Sequence, residues 1–262
     1  MQTTVNNTPA YLYTAGKPLR PELPAILFLH GAANDHSVWT WQSRWFANHG
    51  FNALAVDLPG HGRSGGAAAG SIEEAADWVL SLIAALDLPT IHLAGHSMGS
   101  LIALEAASRC CARIAKLALL GCTVPMTVSE ALLDAALNNE PEAIALITGW
   151  SHAPATNLTG GPIPGIWLPG VNRALMGRAA KGVLHRDLLN CQQYTGGITA
   201  AQRVSCPTLL LIGERDLMTP RKSTLELRKH LHDGRESIID GAGHAMMSER
   251  PDTVLESLRD FF

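Results

Sequence analysis

The pentapeptide Gly95-His96-Ser97-Met98-Gly99 constrains the fold of this 262-residue chain more than any other feature. An apolar run from Ile91 to Ala94 precedes it, and an apolar helical pattern from Met98 to Arg109 follows it. A serine on a sharp strand-to-helix turn has strained backbone angles, and flanking glycines are needed where the strand and the helix crowd together. The context therefore predicts a Ser97 hydroxyl that is exposed above a sheet, ready to attack a carbonyl carbon. Because such pentapeptides also occur by chance, the rest of the chain must support this interpretation.

Short aliphatic runs alternate with helical patterns along most of the chain. Runs that are apolar on both faces are typical of parallel strands covered by helices. The predicted strands are Ala25 to Leu29, Ala53 to Val56, Ile91 to Ala94, Leu117 to Leu120, Thr208 to Ile212 and Ser237 to Ile239. The predicted helices are Ser37 to Asn48, Ser71 to Leu86, Met98 to Arg109, Pro220 to His230 and Pro251 to Phe262. We expect an α/β fold with a mostly parallel, open, twisted sheet and helices on both faces, and with ligands at the carboxyl ends of the strands.

The alternation lapses between about Thr123 and Ser205. This stretch contains Trp150, Trp167, several alanine- and leucine-rich helical patches and a Gly/Pro-rich run from Gly160 to Gly170. We predict a mainly helical cap at residues 123–205, inserted into a core formed by residues 1–122 and 206–262. A loose peripheral subdomain is the alternative interpretation.

Composition narrows the classes of partner. The formal net charge of -3, the hydrophobic content of 47% and the absence of a basic run argue against nucleic acid or anionic membrane as a partner. No apolar run approaches the length of a membrane-spanning helix. The polar N-terminus, Met1 to Pro9, lacks a secretory pattern, so we expect a soluble cytoplasmic protein. The expected partner is a small molecule that is neutral or weakly charged.

The cysteines indicate neither a disulfide framework nor a metal site. The chain has five, at Cys110, Cys111, Cys122, Cys191 and Cys206. They form an odd set without CxxC or Cys/His metal-ligand spacing. We interpret them as small apolar residues of the interior.

Together with the pentapeptide, four further segments resemble the α/β-hydrolase fold superfamily over nearly the whole chain. They are His30-Gly31-Ala32-Ala33 with Trp39 downstream, Asp57 to Ser64, Gly213-Glu214-Arg215-Asp216 and Gly241-Ala242-Gly243-His244. The resemblance implies the fold of that superfamily and a nucleophilic serine. It says less about the substrate, because this scaffold hosts many reactions.

Chemistry and the resemblance together assign a Ser-Asp-His triad. Ser97 needs a base, and His244 follows a strand end within a Gly-Ala-Gly turn, where the resemblance places the catalytic histidine. Asp216, just past a predicted strand, is the carboxylate that would hold His244 in one tautomer, although a helix cap before Pro220 is an alternative role for it. We interpret His96, and the turn from Asp57 to Ser64, as structural.

The resemblance also implies an oxyanion hole formed by the backbone N–H groups of Ala32 and Met98. The tryptophan, leucine, alanine and methionine content of the predicted cap favours an apolar acyl or alkyl pocket. Trp150, Met218 and Ala245 are candidates for its lining, and core packing would explain these residues equally well.

The expected activity is two-step acyl transfer to water from a small to medium, largely apolar ester or lactone, with no metal or organic cofactor. Two alternatives use the same triad, a carbon–carbon bond hydrolase and a cofactor-free perhydrolase. The loop Gly31-Ala32-Ala33-Asn34 lacks the Gly-Pro-Gly pattern of the former. A small-ligand receptor on a hydrolase scaffold is the non-enzyme alternative, which the complete triad disfavours.

Overall fold

An eight-stranded sheet forms the centre of the computed structural model, which describes residues 1–110 and 112–262. The strands are β1 (Gln2–Val5), β2 (Thr8–Tyr13), β3 (Ala25–Leu29), β4 (Asn52–Val56), β5 (Ile91–His96), β6 (Ile114–Leu120), β7 (Thr208–Gly213) and β8 (Gly234–Ile239). Their order across the sheet is β1-β2-β4-β3-β5-β6-β7-β8. Strands β3 to β8 are parallel, whereas β1 and β2 are antiparallel at one edge. The mostly parallel sheet of the sequence prediction is confirmed.

The antiparallel hairpin of β1 and β2 was not predicted. Its turn consists of Asn6 and Asn7, both with positive φ (49° and 62°), and Val5 pairs with Thr8 across it. β1 is the edge strand and β2 pairs with both β1 and β4. Both strands are partly exposed, so they lack the continuous apolar run that marks the central strands. The Asn-Asn pair was the available signal, because asparagine tolerates the left-handed region that two-residue hairpin turns require.

Helices cover both faces of the sheet. They are α1 (Thr40–Ala47), α2 (Ile72–Leu86), α3 (Met98–Arg109), α4 (Glu130–Asn138), α5 (Glu140–Ser151), α6 (Pro154–Thr159), α7 (Leu168–Met176), α8 (Val183–Gln193), α9 (Gly197–Arg203), α10 (Arg221–Arg228), α11 (Met246–Glu249) and α12 (Pro251–Phe261). A 3-10 helix (His36–Trp39) precedes α1. Side chains of α2, α3, α9 and α10 share one buried cluster with Leu27 and Leu29, and side chains of α1, α11 and α12 share another with Ile26 and Phe28. Successive residues of β3 therefore pack against opposite helix layers, which explains its unbroken apolar run.

Six helices, α4 to α9, lie between β6 and β7. Four of them, α4, α5, α7 and α8, contribute to a hydrophobic cluster separate from the two beside the sheet. By contrast, Ala200 and Ala201 of α9 belong to the cluster that contains α3. The mainly helical insertion thus agrees with the predicted fold, and its boundaries at 123 and 205 stay a prediction.

The cysteine interpretation can be compared with the structure at four positions. Cys122, Cys191 and Cys206 are buried and Cys110 is half-buried, whereas Cys111 lies outside the described residues. Within residues 1–110 and 112–262, none of the helices combines the length and the apolar character that crossing a bilayer requires.

Candidate active site

Ser97 occupies the strained turn that the pentapeptide predicts. It lies between the end of β5 and the start of α3 with φ 54° and ψ -123°, a combination that is costly for a residue with a side chain. A Cβ atom at Gly95 would come within 2.2 Å of the Gly99 carbonyl oxygen, and one at Gly99 within 2.4 Å of the His30 carbonyl oxygen. Glycine is therefore required at both positions, because the strand, the helix and the loop after β3 approach one another so closely.

Asp216 and His244 form a buried hydrogen-bonded pair at the carboxyl ends of the adjacent strands β7 and β8. His244 Nδ1 lies 2.8 Å from Asp216 Oδ2. The Asp216 carboxylate also accepts the backbone N–H groups of Met218 and Thr219 (both 2.8 Å) and the Thr219 hydroxyl (2.6 Å). Burial opposes ionisation of Asp216, but the charge and hydrogen bond of His244 and the Thr219 hydrogen bonds outweigh it and hold the Asp216 pKa well below its usual value. Asp216 is thus an ionised acceptor, and His244 carries its proton on Nδ1.

This tautomer leaves Nε2 as the nitrogen of His244 that can accept a proton. That atom is buried, and it has no hydrogen-bond partner among the described residues. Ser97 and His244 line the same cavity. Nucleophilic serine catalysis uses a hydroxyl and an imidazole that share a site, with the far nitrogen of the imidazole bound by a carboxylate. The structure brings the three predicted residues to one edge of the sheet, and their catalytic roles stay predictions.

The loop after β3 lies directly against Ser97. A Cβ atom at Gly31 would be 3.1 Å from the Ser97 Cβ, and Ala32 lines the cavity. Met98, the other predicted oxyanion donor, is the first residue of α3, and amides of the first helical turn have no partner within their own helix. Met98 thus follows Ser97 directly, Ala32 lines the same cavity as Ser97, and their role as oxyanion donors stays a prediction.

His30 fixes the start of this loop. Its Nδ1–H donates to the Gly31 carbonyl (2.8 Å), and its Nε2 accepts from the Leu58 backbone N–H (3.1 Å). Burial, aided by nearby His61, lowers the pKa of His30 to about 4. The ring is accordingly neutral and links the loops after β3 and β4.

His96 is buried beside the catalytic pair. Its Nε2–H donates to the His244 carbonyl (2.9 Å), and the two rings are 4.7 Å apart at their centroids. Burial, together with the charge of His244, lowers the pKa of His96 to about 3. A neutral ring that holds the backbone of His244 is consistent with the structural role predicted for His96, and that role stays a prediction. The ring lies against the imidazole of His244.

Two residues that matter to His244 were missed by sequence reasoning. Gly121, after β6, has φ +57°, and a Cβ there would come within 2.8 Å of His244 Cε1. Glu249 is fully buried and accepts the backbone N–H groups of Gly243 (2.7 Å) and Ala153 (2.9 Å). The position of Gly121 directly after a strand was a partial sequence signal for a close contact at this point. Glu249 had none, because a glutamate in a short C-terminal helix resembles a surface residue.

The remaining acidic residues singled out earlier hold turns. Asp57 accepts the His36 N–H (2.7 Å), His36 Nδ1 (2.8 Å) and the Arg63 N–H (2.8 Å). Glu214 accepts the Gly241 N–H at 2.9 Å. Among the described residues, ligand atoms of Asp35, His36 and Asp57 lie within 4.8 Å of one another. Hydrogen bonds of the turn already engage the Asp57 carboxylate, so its position is explained without a metal.

A cavity of about 580 Å³ adjoins Ser97 and His244. Trp150, Met218 and Ala245 line it, which is where the sequence analysis placed them, and their contact with substrate stays a prediction. The other large apolar lining residues are Val38, Trp41, Met126, Val128, Leu132, Ile147, Ile163, Ile166, Leu168, Val171, Leu175, Met176, Leu188, Leu217 and Met247. In the part of the chain that the structure describes, no lysine, arginine, aspartate or glutamate lines the cavity. Such a lining suits an uncharged, apolar group.

Comparisons with known proteins agree with this geometry. Residues 26–257 match the model of the Alpha/beta hydrolase family. A pimeloyl-[acyl-carrier protein] methyl ester esterase of Neisseria meningitidis is 30% identical over 266 residues, covering 94% of this chain and 96% of the esterase. An (E)-2-((N-methylformamido)methylene)succinate hydrolase of Acinetobacter baylyi is 23% identical over 260 residues, covering 97% of this chain and 94% of that enzyme.

Among solved structures, the enol-lactonase of Burkholderia xenovorans superimposes with a TM-score of 0.87 at 22% identity, covering 100% of this chain and 99% of the lactonase. At this identity the likeness concerns the fold alone. The family match, in contrast, covers most of the chain and includes the segments that carry Ser97, Asp216 and His244. The chain therefore belongs to the Alpha/beta hydrolase family and is a hydrolase.

Proposed function

We propose that this hydrolase cleaves a carboxylic ester or lactone of small to medium size and largely apolar character through an acyl-enzyme on Ser97. The observation that carries the proposal is the buried His244–Asp216 pair, joined at 2.8 Å, in the same cavity as a serine on a strained turn. This pair supplies the oriented base that a serine hydroxyl needs at neutral pH.

In the first step Ser97 Oγ attacks the ester carbonyl while His244 Nε2 takes its proton. The tetrahedral oxyanion is stabilised by the backbone N–H groups of Ala32 and Met98. His244 then gives the proton to the leaving alkoxide, and the acyl group remains on Ser97. In the second step a water molecule attacks the acyl carbon while His244 takes its proton, and His244 then protonates Ser97 Oγ as the bond to the acyl group breaks, which releases the acid and restores the serine. Asp216 stays ionised throughout and stabilises the imidazolium that forms twice in the cycle.

The substrate class follows from the lining of the cavity. An acyl or alkyl chain gains by contact with the apolar side chains there. A carboxylate or phosphate on the substrate would be buried without a cationic partner, which is costly. We infer that the substrate is uncharged around the reacting carbonyl. Two similar proteins support an ester or lactone as the substrate, since one sequence relative is a methyl ester esterase and one structural neighbour is an enol-lactonase.

The test is an activity profile of wild type and Ser97→Ala across p-nitrophenyl esters of increasing acyl length, lactones and thioesters. We expect sustained turnover of neutral esters that Ser97→Ala abolishes. The matched pair p-nitrophenyl butyrate and p-nitrophenyl hemisuccinate tests the charge argument, and the neutral ester is expected to be better by roughly 100-fold in kcat/KM. Equal turnover of both would contradict the inferred substrate class.

Two further assays, together with the time course of p-nitrophenol release, separate the alternatives. A carbon–carbon bond hydrolase would cleave a vinylogous diketone faster than any ester, and a perhydrolase would form peracid from acetate and hydrogen peroxide. A receptor would release one equivalent of p-nitrophenol and then stop. Sustained turnover that is highest with esters or lactones supports the proposal, and any of the other three patterns overturns it.

A further inference from the structure

Asp187, on α8 of the helical insertion, is a buried carboxylate outside the lining of the main cavity. Its Oδ2 lies 2.8 Å from the backbone nitrogen of Ala33 and 2.8 Å from Nε2 of His61. Ala33 belongs to the loop after β3, and His61 to the turn after β4. One oxygen of the insertion therefore accepts hydrogen bonds from two loops of the core. A carboxylate so deeply buried is retained only when it is paired and hydrogen-bonded.

His61 is held by two groups that can only accept hydrogen bonds. Its Nδ1 lies 2.9 Å from the Pro59 carbonyl oxygen, and its Nε2 faces Asp187. An imidazolium, with hydrogen on both ring nitrogens, satisfies both of these acceptors. Burial lowers the pKa of His61, but the hydrogen bond and charge of Asp187 outweigh burial, and the pKa is raised. The cation compensates the buried charge of Asp187.

The loop that Asp187 contacts is strained at the point of contact. Ala33 has φ 50°, in the left-handed region that residues with a side chain rarely adopt. It directly follows Ala32, which lines the cavity beside Ser97. The Ala33 side chain packs within the hydrophobic cluster of α4, α5, α7 and α8. The helical insertion thus holds this loop both by a hydrogen bond and by apolar contact.

We propose that Asp187 is a positioning residue for the oxyanion hole. Fixed by the His61 imidazolium, it holds the backbone of Ala33 in its strained conformation and thereby sets the direction of the neighbouring Ala32 N–H. The inference rests on the proposed function of Ser97 and of the Ala32 amide. It makes the placement of an oxyanion donor depend on the position of α8, so the cap contributes to catalysis as well as to the pocket.

The experiment compares Asp187→Ala, Asp187→Asn and wild type with p-nitrophenyl butyrate. We expect Asp187→Ala to lower kcat by about 10- to 100-fold, less than complete loss of an oxyanion donor, with KM changed by less than about twofold because Asp187 lies outside the cavity lining. Asp187→Asn keeps an amide oxygen that can accept from Ala33, and it should recover most of kcat. Asp187→Leu fills the space without an acceptor and replaces Asp187→Ala if that variant does not fold.

Two inhibitors distinguish transition-state positioning from a general loss of structure. Ser97 Oγ adds to the carbonyl carbon of a pentyl trifluoromethyl ketone and forms an oxyanion, whereas the pentyl methyl ketone only fills the pocket. In Asp187→Ala the inhibition constant of the trifluoromethyl ketone should rise by the same factor by which kcat falls. The constant for the methyl ketone should stay within about twofold, because its binding needs no oxyanion donor.

Asn190→Ala is the matched control, since Asn190 lies on the same helix and donates to the Ala69 carbonyl at 2.9 Å, away from the oxyanion loop. It should lower stability and leave kcat near the wild-type value.

An Asp187→Ala or Asp187→Leu variant with unchanged kcat, or with parallel weakening of both ketones, overturns the inference. Ser97→Ala is assayed in parallel. If that variant retains turnover the proposed function fails, whereas if it is inactive and the Asp187 variants are normal only the inference fails.

Discussion

The loops at the carboxyl ends of the strands and the cavity beside them are built in contrasting ways. In the loops, polar groups meet specific partners, as Asp216 does with His244, Met218 and Thr219. The cavity lining is mostly apolar and, among the described residues, has no acidic or basic residue other than histidine. Directional contacts fix where charge can develop, while apolar contacts reward any chain of suitable size and shape. We therefore expect the loops to determine the reaction and the lining to determine the choice of substrate.

The largest effect should follow a change to the nucleophile in the loops. We expect Ser97→Ala to lower kcat by roughly 10⁶-fold, because no other group can form the acyl-enzyme. The apolar side chains that line the cavity are unaltered by this change, so the pentyl methyl ketone should still bind with an affinity within about twofold of wild type. Steady-state assays and ligand titration measure the two quantities. Ser108→Ala, further along α3, is the control, and a similar loss there would mean that the helix, not the hydroxyl, was being tested.

Asp216→Asn should have the next largest effect. The amide cannot hold His244 in the required tautomer or stabilise the imidazolium, so kcat should fall by roughly 10⁴-fold. KM should change little, because the cavity lining is untouched. Glu214→Gln, two residues earlier and exposed, should retain full activity. Comparable losses in the two variants would contradict the assignment of Asp216.

Gly121→Ala tests how closely the loops are packed around His244. A Cβ at this position would come within 2.8 Å of the imidazole, and its φ of +57° disfavours any side chain. Displacing the base by a fraction of an ångström should lower kcat by about 10- to 100-fold. Gly149→Ala, on α5 with nothing within 4 Å of its Cβ position, should be nearly neutral. Full activity of Gly121→Ala would show that the close contact between position 121 and His244 does not affect catalysis.

A change in the lining should alter selectivity more than rate. We expect Trp150→Ala to lower kcat/KM by about tenfold for a p-nitrophenyl octanoate and by less than about twofold for the acetate. Trp167→Ala, an exposed tryptophan of the insertion outside the cavity lining, is the control. An equal loss of kcat/KM for all acyl chain lengths would indicate instead that Trp150 stabilises the catalytic loops.

The smallest effect concerns the ion pair that links the loops to the insertion. The pKa of His61 is raised in the folded protein. The contribution of His61 to the free energy of unfolding is therefore complete below the unfolded-state pKa of about 6.5, and it is lost as pH rises through the folded-state pKa. The difference in unfolding free energy between wild type and His61→Gln should therefore shrink from about pH 6 to about pH 9. His30, Asp57 and Asp187 act electrostatically on His61 in the folded protein, and of these Asp187 is its hydrogen-bonded partner. Denaturant titrations at each pH measure the difference, and a constant difference would contradict an imidazolium at this site.

The contrast between loops and lining also explains what the sequence could predict. The pentapeptide around Ser97 and the strand ends that carry Asp216 and His244 can each be recognised in a short stretch of sequence, although part of the crowding that demands glycine at position 99 comes from the distant His30 carbonyl. The contacts of Asp187 and Glu249 join residues 154 and 96 positions apart. No local pattern encodes such pairs, because each depends on how α8 and α11 pack against the loops. The antiparallel edge hairpin was missed for a related reason, since half-exposed strands lack an apolar run.

The most direct test of the account is stoichiometric phosphorylation with diethyl p-nitrophenyl phosphate, which reacts with an activated serine and releases p-nitrophenolate. Peptide mass spectrometry of the inactivated protein locates the label. We predict one diethylphosphoryl group per chain, on Ser97, with slower labelling in Asp216→Asn and none at that peptide in Ser97→Ala. A label on another residue, or equal labelling of Ser97→Ala, would contradict the claim that Ser97, His244 and Asp216 act together.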